Sequence, residues 1–141
     1  MAPVLLLPVF CIIKRERFFK MKNILIVEDH EEMQILYGAF LKKEKDLNIQ
    51  HQAKSGEEAL EALKKYRPDL IIVDITLPEM SGIEFTRRAK KIFPHSKILV
   101  VSGYDTDLNL SKAMEAGADK LITKGDISRI IEEAKKLLFG D

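Results

Sequence analysis

Polar residues that could bind a metal ion or a phosphoryl group directly follow four apolar runs of the sequence. Glu28 and Asp29 follow the first run, Asp74 the second, and Ser102 and Lys124 the other two. Crowded carboxylates repel one another unless a cation lies between them, and Mg²⁺ prefers oxygen ligands. Hydroxyl and ammonium groups donate hydrogen bonds to phosphoryl oxygens. If these residues meet, they supply the parts that phosphoryl transfer requires.

The run at residues 70–73 indicates where Asp74 lies. It is continuously apolar and rich in β-branched side chains, which is typical of a strand buried on both faces of a parallel sheet. Asp74 would then lie at the carboxyl end of that strand, the edge at which ligands bind in open α/β sheets. The same position suits a carboxylate that caps the following loop, and this run alone does not separate the two interpretations.

The rest of the sequence alternates between strands and helices. Short apolar or weakly alternating runs predict strands at 23–27, 48–53, 70–73, 98–101 and 119–123. Helical spacing predicts helices at 30–44, 55–66, 82–93, 106–116 and 126–138. Such alternation predicts an α/β fold, a flavodoxin-like (βα)5 three-layer sandwich with a parallel sheet in the order 2-1-3-4-5. The first, third, fourth and fifth strands are neighbours in that order, so the five polar residues should converge.

Helical spacing also predicts which side chains these helices bury. The expected core residues are Met33, Leu36, Tyr37, Phe40, Leu41, Phe85, Ala89, Ile92, Phe93, Leu108, Ala113, Met114, Ile127, Ile130, Ile131, Ala134, Leu137 and Leu138. Ser55 and Glu58 predict a capping box, and Gly117 predicts a helix-ending glycine.

The composition indicates one domain in a reducing compartment. The chain has 141 residues and one cysteine, Cys11, so it cannot form an intramolecular disulfide. A cytoplasmic location is therefore expected. Lys and Arg number 23 against 22 Asp and Glu, so no overall charge favours nucleic acid or a membrane surface.

Residues 1–20 differ from the rest of the chain. The apolar run 3–13 precedes the basic segment 14–17, the reverse of a signal peptide, and it is shorter than the roughly 20 residues of a membrane span. We expect a non-structural extension or a start-site artefact before a domain at 21–141. A membrane anchor of reversed orientation is the alternative.

Several motifs together resemble the receiver domain of two-component response regulators. They are Glu28-Asp29, Asp74 with Leu77-Pro78-Glu79-Met80-Ser81-Gly82, Val101-Ser102-Gly103, and Ala116-Gly117-Ala118-Asp119 before Lys124. The resemblance covers about residues 22–140. It implies a switch that accepts a phosphoryl group from a histidine kinase or a histidine phosphotransfer protein.

The resemblance also implies a role for each site residue. Asp74 would be the phospho-acceptor, and Asp29, Asp74 and the backbone carbonyl of Thr76 would bind Mg²⁺. Glu28 would assist directly or through water. Ser102 and Lys124 would contact the phosphoryl group.

Other positions would tune or transmit the signal. Thr76 and Tyr104 would set the lifetime of the phosphoryl group. Leu121 stands where many receivers have an aromatic switch residue, so switching is expected to rest on Ser102 and backbone shifts. Gly125 replaces a proline that often follows the lysine, so a trans peptide bond is expected.

The resemblance extends to possible partners. The ending Lys124-Gly125-Asp126 is similar to that of regulators with a helix-turn-helix domain. The sequence carries no such domain, so we expect a stand-alone receiver with an unidentified protein target and no direct contact with DNA. A homodimer that forms on phosphorylation is compatible with the family.

Three alternatives compete with this interpretation. A receiver-like domain could bind a partner without being phosphorylated. A hydrolase of the haloacid-dehalogenase type would need a second Asp where Thr76 stands, and a flavin carrier would need a phosphate-binding loop after the first strand. The scattered histidines His30, His51 and His95 are expected to be surface residues rather than metal ligands.

Overall fold

A computed structural model of the chain describes residues 21–103 and 106–140, and it contains five strands and five helices in that part. The strands are β1 (Lys22–Val27), β2 (Leu47–Ala53), β3 (Leu70–Asp74), β4 (Lys97–Ser102) and β5 (Lys120–Thr123). The helices are α1 (Glu31–Leu41), α2 (Gly56–Ala62), α3 (Gly82–Ile92), α4 (Asp107–Ala116) and α5 (Ile127–Phe139). The sheet order is β2-β1-β3-β4-β5 and every pairing is parallel, which confirms the flavodoxin-like topology.

The strands separate two apolar cores because their side chains alternate between the faces of the sheet. On one face Leu25, Ile71 and Val100 pack with side chains of α2, α3 and α4. On the other face Ile24, Ile72 and Leu99 pack with side chains of α1 and α5. The central strand β3 is buried at every residue, as its continuous apolar run predicts.

Short polar side chains fix where the helices begin. The side chains of Ser55, Ser81 and Thr106 each accept a hydrogen bond from the backbone N–H three residues later. Glu58 closes the predicted capping box in a modified form, because its carboxylate accepts from the N–H of Lys54 at 2.8 Å. Gly117 ends α4 with a φ of 108°, the left-handed conformation that a glycine adopts without strain.

Two helices are shorter than their sequence patterns predict. α1 ends at Leu41 rather than near Glu44, and α2 ends at Ala62 rather than at Tyr66. In each case the chain continues through hydrogen bonds between residues three apart, such as Glu44 N–H to Leu41 O and Lys65 N–H to Ala62 O. Tightened last turns of this kind satisfy carbonyls that the α-helix leaves free.

Four of the predicted core residues are exposed instead. The exposed fractions are 41% for Leu36, 57% for Ile92, 62% for Leu108 and 46% for Met114. The buried faces of the helices are therefore narrower than predicted, as in α4, where Ala113 is fully buried while Leu108 and Met114 are exposed. Ile92 is the last residue of α3, whereas the next residue, Phe93, packs against the core as predicted.

The leader at residues 1–20 lies outside the described residues, so the expectations about it stay expectations. Within residues 21–103 and 106–140, no helix is long and apolar enough to cross a membrane.

Candidate functional site

Strand register brings the predicted polar residues to one edge of the sheet. Val27 pairs with Val73, so Glu28 and Asp29 follow β1 beside Asp74 at the end of β3. On the other side of β3, Asp74 pairs with Val101, and Ser102 is the next residue of β4. Ser102 pairs in turn with Thr123, the residue before Lys124. The edge therefore collects the residues that the sequence predicted to converge.

Lys124 joins two buried carboxylates across this edge. Its ammonium nitrogen lies 2.7 Å from Glu28 Oε1 and donates to Asp74 Oδ2 at 2.8 Å. Glu28 and Asp74 are only 1% and 5% exposed, so little solvent screens their charges. Burial alone would lower the pKa of Lys124, but the hydrogen bonds and charges of Asp74 and Glu28 together outweigh it and raise the pKa. Lys124 is therefore held as a cation between them.

Both oxygens of the Glu28 carboxylate have partners. Oε1 faces Lys124, and Oε2 accepts from the backbone N–H of His30 at 3.0 Å and lies 3.1 Å from His30 Nδ1. Gln34 donates to the backbone carbonyl of Glu28 at 2.6 Å. Glu28 is thus fixed by the start of α1 and by Lys124.

Asp29 differs from Glu28 because one of its oxygens has no hydrogen-bond donor. Oδ1 is shielded from solvent, and no described residue donates a hydrogen bond to it. Its neighbour is His30 Nδ1 at 3.3 Å. A buried oxygen left in this way costs free energy unless a further partner compensates.

The carboxylates of Glu28, Asp29 and Asp74 form the acidic cluster of the site. Together with a nitrogen of His30 they offer ligand atoms that all lie within 4.8 Å of one another. The donor set is dominated by carboxylate oxygens. Asp29 contributes a carboxylate whose Oδ1 receives no hydrogen bond from a described residue. These features fit a hard divalent cation, and the cluster is typical of a Mg²⁺ site.

The loop after β3 holds the Asp74 carboxylate in place. Asp74 Oδ1 accepts from the backbone N–H of Thr76 at 3.0 Å, and the Gly82 N–H donates to Ile75 O at 2.9 Å. A Cβ atom on Gly82 would lie 2.2 Å from the backbone oxygen of Asp74. Only glycine therefore allows the start of α3 to pack this closely against the end of β3.

The other residues predicted to act at the site differ in their burial and in whether the structure describes them. Ser102 is 1% exposed at the end of β4, and its backbone oxygen accepts from the Lys124 N–H at 2.6 Å. The Thr76 side chain is exposed at the mouth of the site. Leu121 is buried in the core beneath α4. Tyr104 lies outside the described residues.

Comparison with known proteins identifies the family of the chain that carries this site. The family model of the response regulator receiver domain matches residues 24–135. The chain belongs to the response regulator receiver family. It is a phospho-acceptor signalling module of two-component systems rather than an enzyme that turns over a separate substrate. The hydrolase alternative is thereby excluded.

Sequence relatives of this receiver include response regulators from staphylococci. The protein VraR of Staphylococcus saprophyticus is 32% identical over 119 residues, which cover 84% of this chain and 57% of that protein. VraR of Staphylococcus aureus (strain NCTC 8325 / PS 47) is 32% identical over 112 residues, covering 79% and 54%. This chain thus spans about half the length of these relatives.

Solved structures of other receivers share the fold. A two-component response regulator of the LuxR family from Aurantimonas sp. SI85-9A1 aligns with a TM-score of 0.80 and 25% identity, covering 86% of this chain and 87% of that one. A CheY-like receiver domain protein from Methanospirillum hungatei JF-1 aligns with a TM-score of 0.76 and 30% identity, covering 84% and 94%.

The prediction for the bond after Lys124 is confirmed in this receiver. No cis peptide bond occurs among the described residues, so Lys124–Gly125 is trans. Gly125 is exposed, and a Cβ atom at that position would meet nothing within 4 Å.

Two residues near the receiver site were missed by sequence reasoning. His30 was expected to be an ordinary surface histidine, and although its side chain is 63% exposed, it lies against the acidic cluster. Its position directly after Glu28 and Asp29 was the available signal. Tyr37 was expected only as a core residue, yet burial, aided by the charges of Glu28 and Asp74, raises the pKa of its phenol. Nothing in its helical spacing indicated that proximity.

Proposed function

We propose that Asp74 accepts a phosphoryl group from a phosphohistidine of the cognate histidine kinase or of a histidine phosphotransfer protein. Phosphorylation would then change the affinity for a downstream protein target. The observation that carries this proposal is the placement of the Asp74 carboxylate, which lies 2.8 Å from the Lys124 ammonium beside Glu28 and Asp29. This combination supplies an acceptor oxygen, a cation for the phosphoryl group and ligands for a metal ion.

In the transfer step, a carboxylate oxygen of Asp74 bonds to phosphorus as the phosphorus–nitrogen bond of the donor histidine breaks. The imidazole leaves after taking up one proton, and the product is an acyl phosphate. The Thr76 N–H and Lys124 hold one oxygen each of the Asp74 carboxylate, which fixes the group before the donor arrives. A prepositioned nucleophile lowers the entropic part of the barrier.

Asp29, Asp74 and the backbone carbonyl of Thr76 would hold Mg²⁺. When bound, the ion neutralises charge on the acidic cluster and on the phosphoryl oxygens. Glu28 would act directly or through a water molecule, and Lys124 and His30 hold its two oxygens in place. Asp29 Oδ1 is buried and receives no hydrogen bond from a described residue, which supports a role for Asp29 as a direct ligand.

Ser102 and Lys124 would bind the phosphoryl group once it is on Asp74. Lys124 would move from the Asp74 carboxylate to a phosphoryl oxygen, and the Ser102 hydroxyl would donate to another. Thr76 and Tyr104 would tune the lifetime of the acyl phosphate. With Leu121 in the switch position, the signal would pass through Ser102 and the backbone of the loops after β3 and β4.

The test is incubation with acetyl phosphate and Mg²⁺, followed by intact-protein mass spectrometry. The wild-type protein should gain one phosphoryl group, and chelation of Mg²⁺ should prevent the gain. Asp74→Asn should gain none, whereas Asp107→Asn, an exposed residue at the start of α4, should behave as wild type. An unmodified wild-type protein would instead support a receiver-like module that binds its partner without phosphorylation.

A further inference from the structure

We propose that His30 is an additional ligand of the cation site and gives this receiver a preference for nitrogen-binding divalent metals. The chemical class is the divalent transition metals from Mn²⁺ to Zn²⁺, which accept imidazole far more readily than Mg²⁺ does. This inference rests on the proposed function, because it assumes that the acidic cluster binds a cation.

The distances around His30 Nδ1 match those between neighbouring ligands of one metal ion. Metal–ligand bonds of about 2.0–2.1 Å place adjacent ligands of an octahedral ion about 3.0 Å apart and opposite ligands about 4.2 Å apart. His30 Nδ1 lies 3.1 Å from Glu28 Oε2 and 3.3 Å from Asp29 Oδ1. All four ligand atoms, including one from Asp74, fit within 4.8 Å. An ion would need to draw the ligands together only slightly.

The backbone keeps the His30 ring beside the cluster. His30 is the residue before α1, with an extended backbone and no side-chain hydrogen bond to the start of the helix. Its backbone N–H is fixed to Glu28 Oε2 at 3.0 Å, and Gln34 on the first turns of α1 holds the Glu28 carbonyl. The ring is thus tied to the acidic cluster by its own main chain.

The neighbouring groups leave the nitrogen available to an ion. If Nδ1 gives its lone pair to a metal, Glu28 still keeps the Lys124 ammonium and the His30 N–H as partners. The buried Asp29 Oδ1, which no described residue supplies with a hydrogen bond, lies 3.3 Å from the same Nδ1. The exposed side of the His30 ring gives an ion a path from solvent.

The test compares Co²⁺ and Mg²⁺ binding by calorimetry on the full chain without a histidine tag. Asn is the replacement for His30, because it is favoured before a helix and removes the ring nitrogen. We expect His30→Asn to weaken Co²⁺ binding by about tenfold or more and to change Mg²⁺ binding by less than about twofold. His51→Asn is the matched control, since His51 also lies near a glutamate, Glu58 at 3.4 Å, but outside the site. It should change neither affinity.

Pulsed electron paramagnetic resonance of bound Mn²⁺ distinguishes a His30 that binds the metal from a His30 that only positions Glu28. The wild-type protein should show coupling to a ligand ¹⁴N nucleus, and His30→Asn should lose it. The inference is overturned if the wild type shows no nitrogen coupling. It is also overturned if His30→Asn weakens both metals equally, since that pattern means His30 acts by positioning Glu28.

The outcomes also separate this inference from the proposed function. If the wild-type protein binds Mg²⁺ and His30→Asn weakens the binding of Mg²⁺ and Co²⁺ equally, only the ligand role of His30 is contradicted. Wild-type protein that binds neither Mg²⁺ nor Co²⁺ contradicts the cation site of the proposed function, and this inference with it.

Discussion

At the scale of single residues, Lys124 is the group that makes two buried carboxylates compatible with folding. Its side chain is 18% exposed, and it contacts Glu28 and Asp74, which are almost completely buried. Removing Lys124 would leave the buried charges of Glu28 and Asp74 with backbone N–H donors but without the cation that they share. The same residue thus stabilises the resting receiver and would bind the phosphoryl group after transfer.

We expect Lys124→Ala to lower the free energy of unfolding by about 1–3 kcal/mol at neutral pH, because Glu28 and Asp74 lose a charged donor. Urea denaturation measures this change. Lys136→Ala is the matched control: its contacts to Glu132 and Glu133 are 3.7 Å long and the lysine is 46% exposed, so the expected cost is below about 0.5 kcal/mol. Equal losses in the two variants would contradict the account of Lys124.

Lys124→Ala should also still accept a phosphoryl group, but phosphorylation should no longer change its affinity for the partner. Asp74 and the ligands of Mg²⁺ remain in that variant, but the cation that would pair with the acyl phosphate is gone. Partner affinity with and without acetyl phosphate measures the effect. An unchanged dependence on phosphorylation would count against the role proposed for Lys124.

Tyr37 gives a pH dependence of stability whose sign follows from its environment. Burial and the charges of Glu28 and Asp74 raise the pKa of the phenol above its value of 10.0 in an unfolded chain. Above about pH 10 the unfolded chain therefore releases a proton that the folded protein retains, and stability falls as the pH rises. Below pH 10 both states keep the proton and the contribution of Tyr37 is constant.

The measurement is urea denaturation between pH 8 and pH 11, with Tyr37→Phe as the comparison. The wild-type protein should lose more stability over that interval, by up to about 1.4 kcal/mol per pH unit above pH 10. Deprotonation of Lys124 contributes equally to both proteins and cancels in the difference. Parallel pH profiles would show that the Tyr37 phenol ionises as freely in the folded protein as in the unfolded chain.

At the scale of secondary structure elements, the site depends on how closely α3 approaches the end of β3. Gly82 begins α3, and its N–H bonds to Ile75 O while Thr86 donates to the Gly82 carbonyl at 2.7 Å. The loop between the two elements carries Thr76, whose N–H orients Asp74. A change at Gly82 should therefore reach the acceptor carboxylate without touching it directly.

We expect Gly82→Ala to destabilise the fold by about 1–3 kcal/mol, because its Cβ would lie 2.2 Å from Asp74 O and force the backbone apart. Phosphorylation by acetyl phosphate should also slow, since Asp74 is displaced. Gly103→Ala is the control, because a Cβ there would meet nothing within 4 Å. Urea denaturation and the phosphorylation rate are the measurements, and a Gly82→Ala protein as stable as Gly103→Ala would refute the close approach.

The elements also show what the sequence can and cannot predict. Strand positions and order follow from apolar runs such as 70–73, because a strand buried on both faces has no polar residue in its interior. The length of α2 and the exposure of Leu108 and Met114 do not follow, since they depend on how far neighbouring helices reach and on which side chains meet the sheet. Helical spacing defines a stripe but not its width.

At the site, too, some features can be predicted from the sequence and others cannot. Convergence of Glu28, Asp29 and Asp74 was predictable, because the carboxyl ends of adjacent parallel strands share one edge. The position of His30 after Glu28 and Asp29 indicated that it lies near the site, but its contact with Glu28 Oε2 depends on the angle at which α1 leaves β1. The double contact of Lys124 likewise depends on side-chain reach across three strands.

At the scale of the whole molecule, the sheet acts as a rigid support that brings five polar residues from four strands to one edge. Two apolar cores fix the strands from both sides. Phosphorylation would act on the loops at this edge, which connect the strands to α3 and α4. Asp74 is the residue that we propose carries the phosphoryl group.

The most direct test of that claim is reduction of the acyl phosphate with borohydride after incubation with acetyl phosphate and Mg²⁺. Borohydride converts a phosphorylated aspartate to homoserine, and peptide mass spectrometry then locates the changed residue. We expect homoserine at position 74 in the wild-type protein and unchanged aspartate when acetyl phosphate is omitted. Homoserine at position 29, or at any position other than 74, would contradict it.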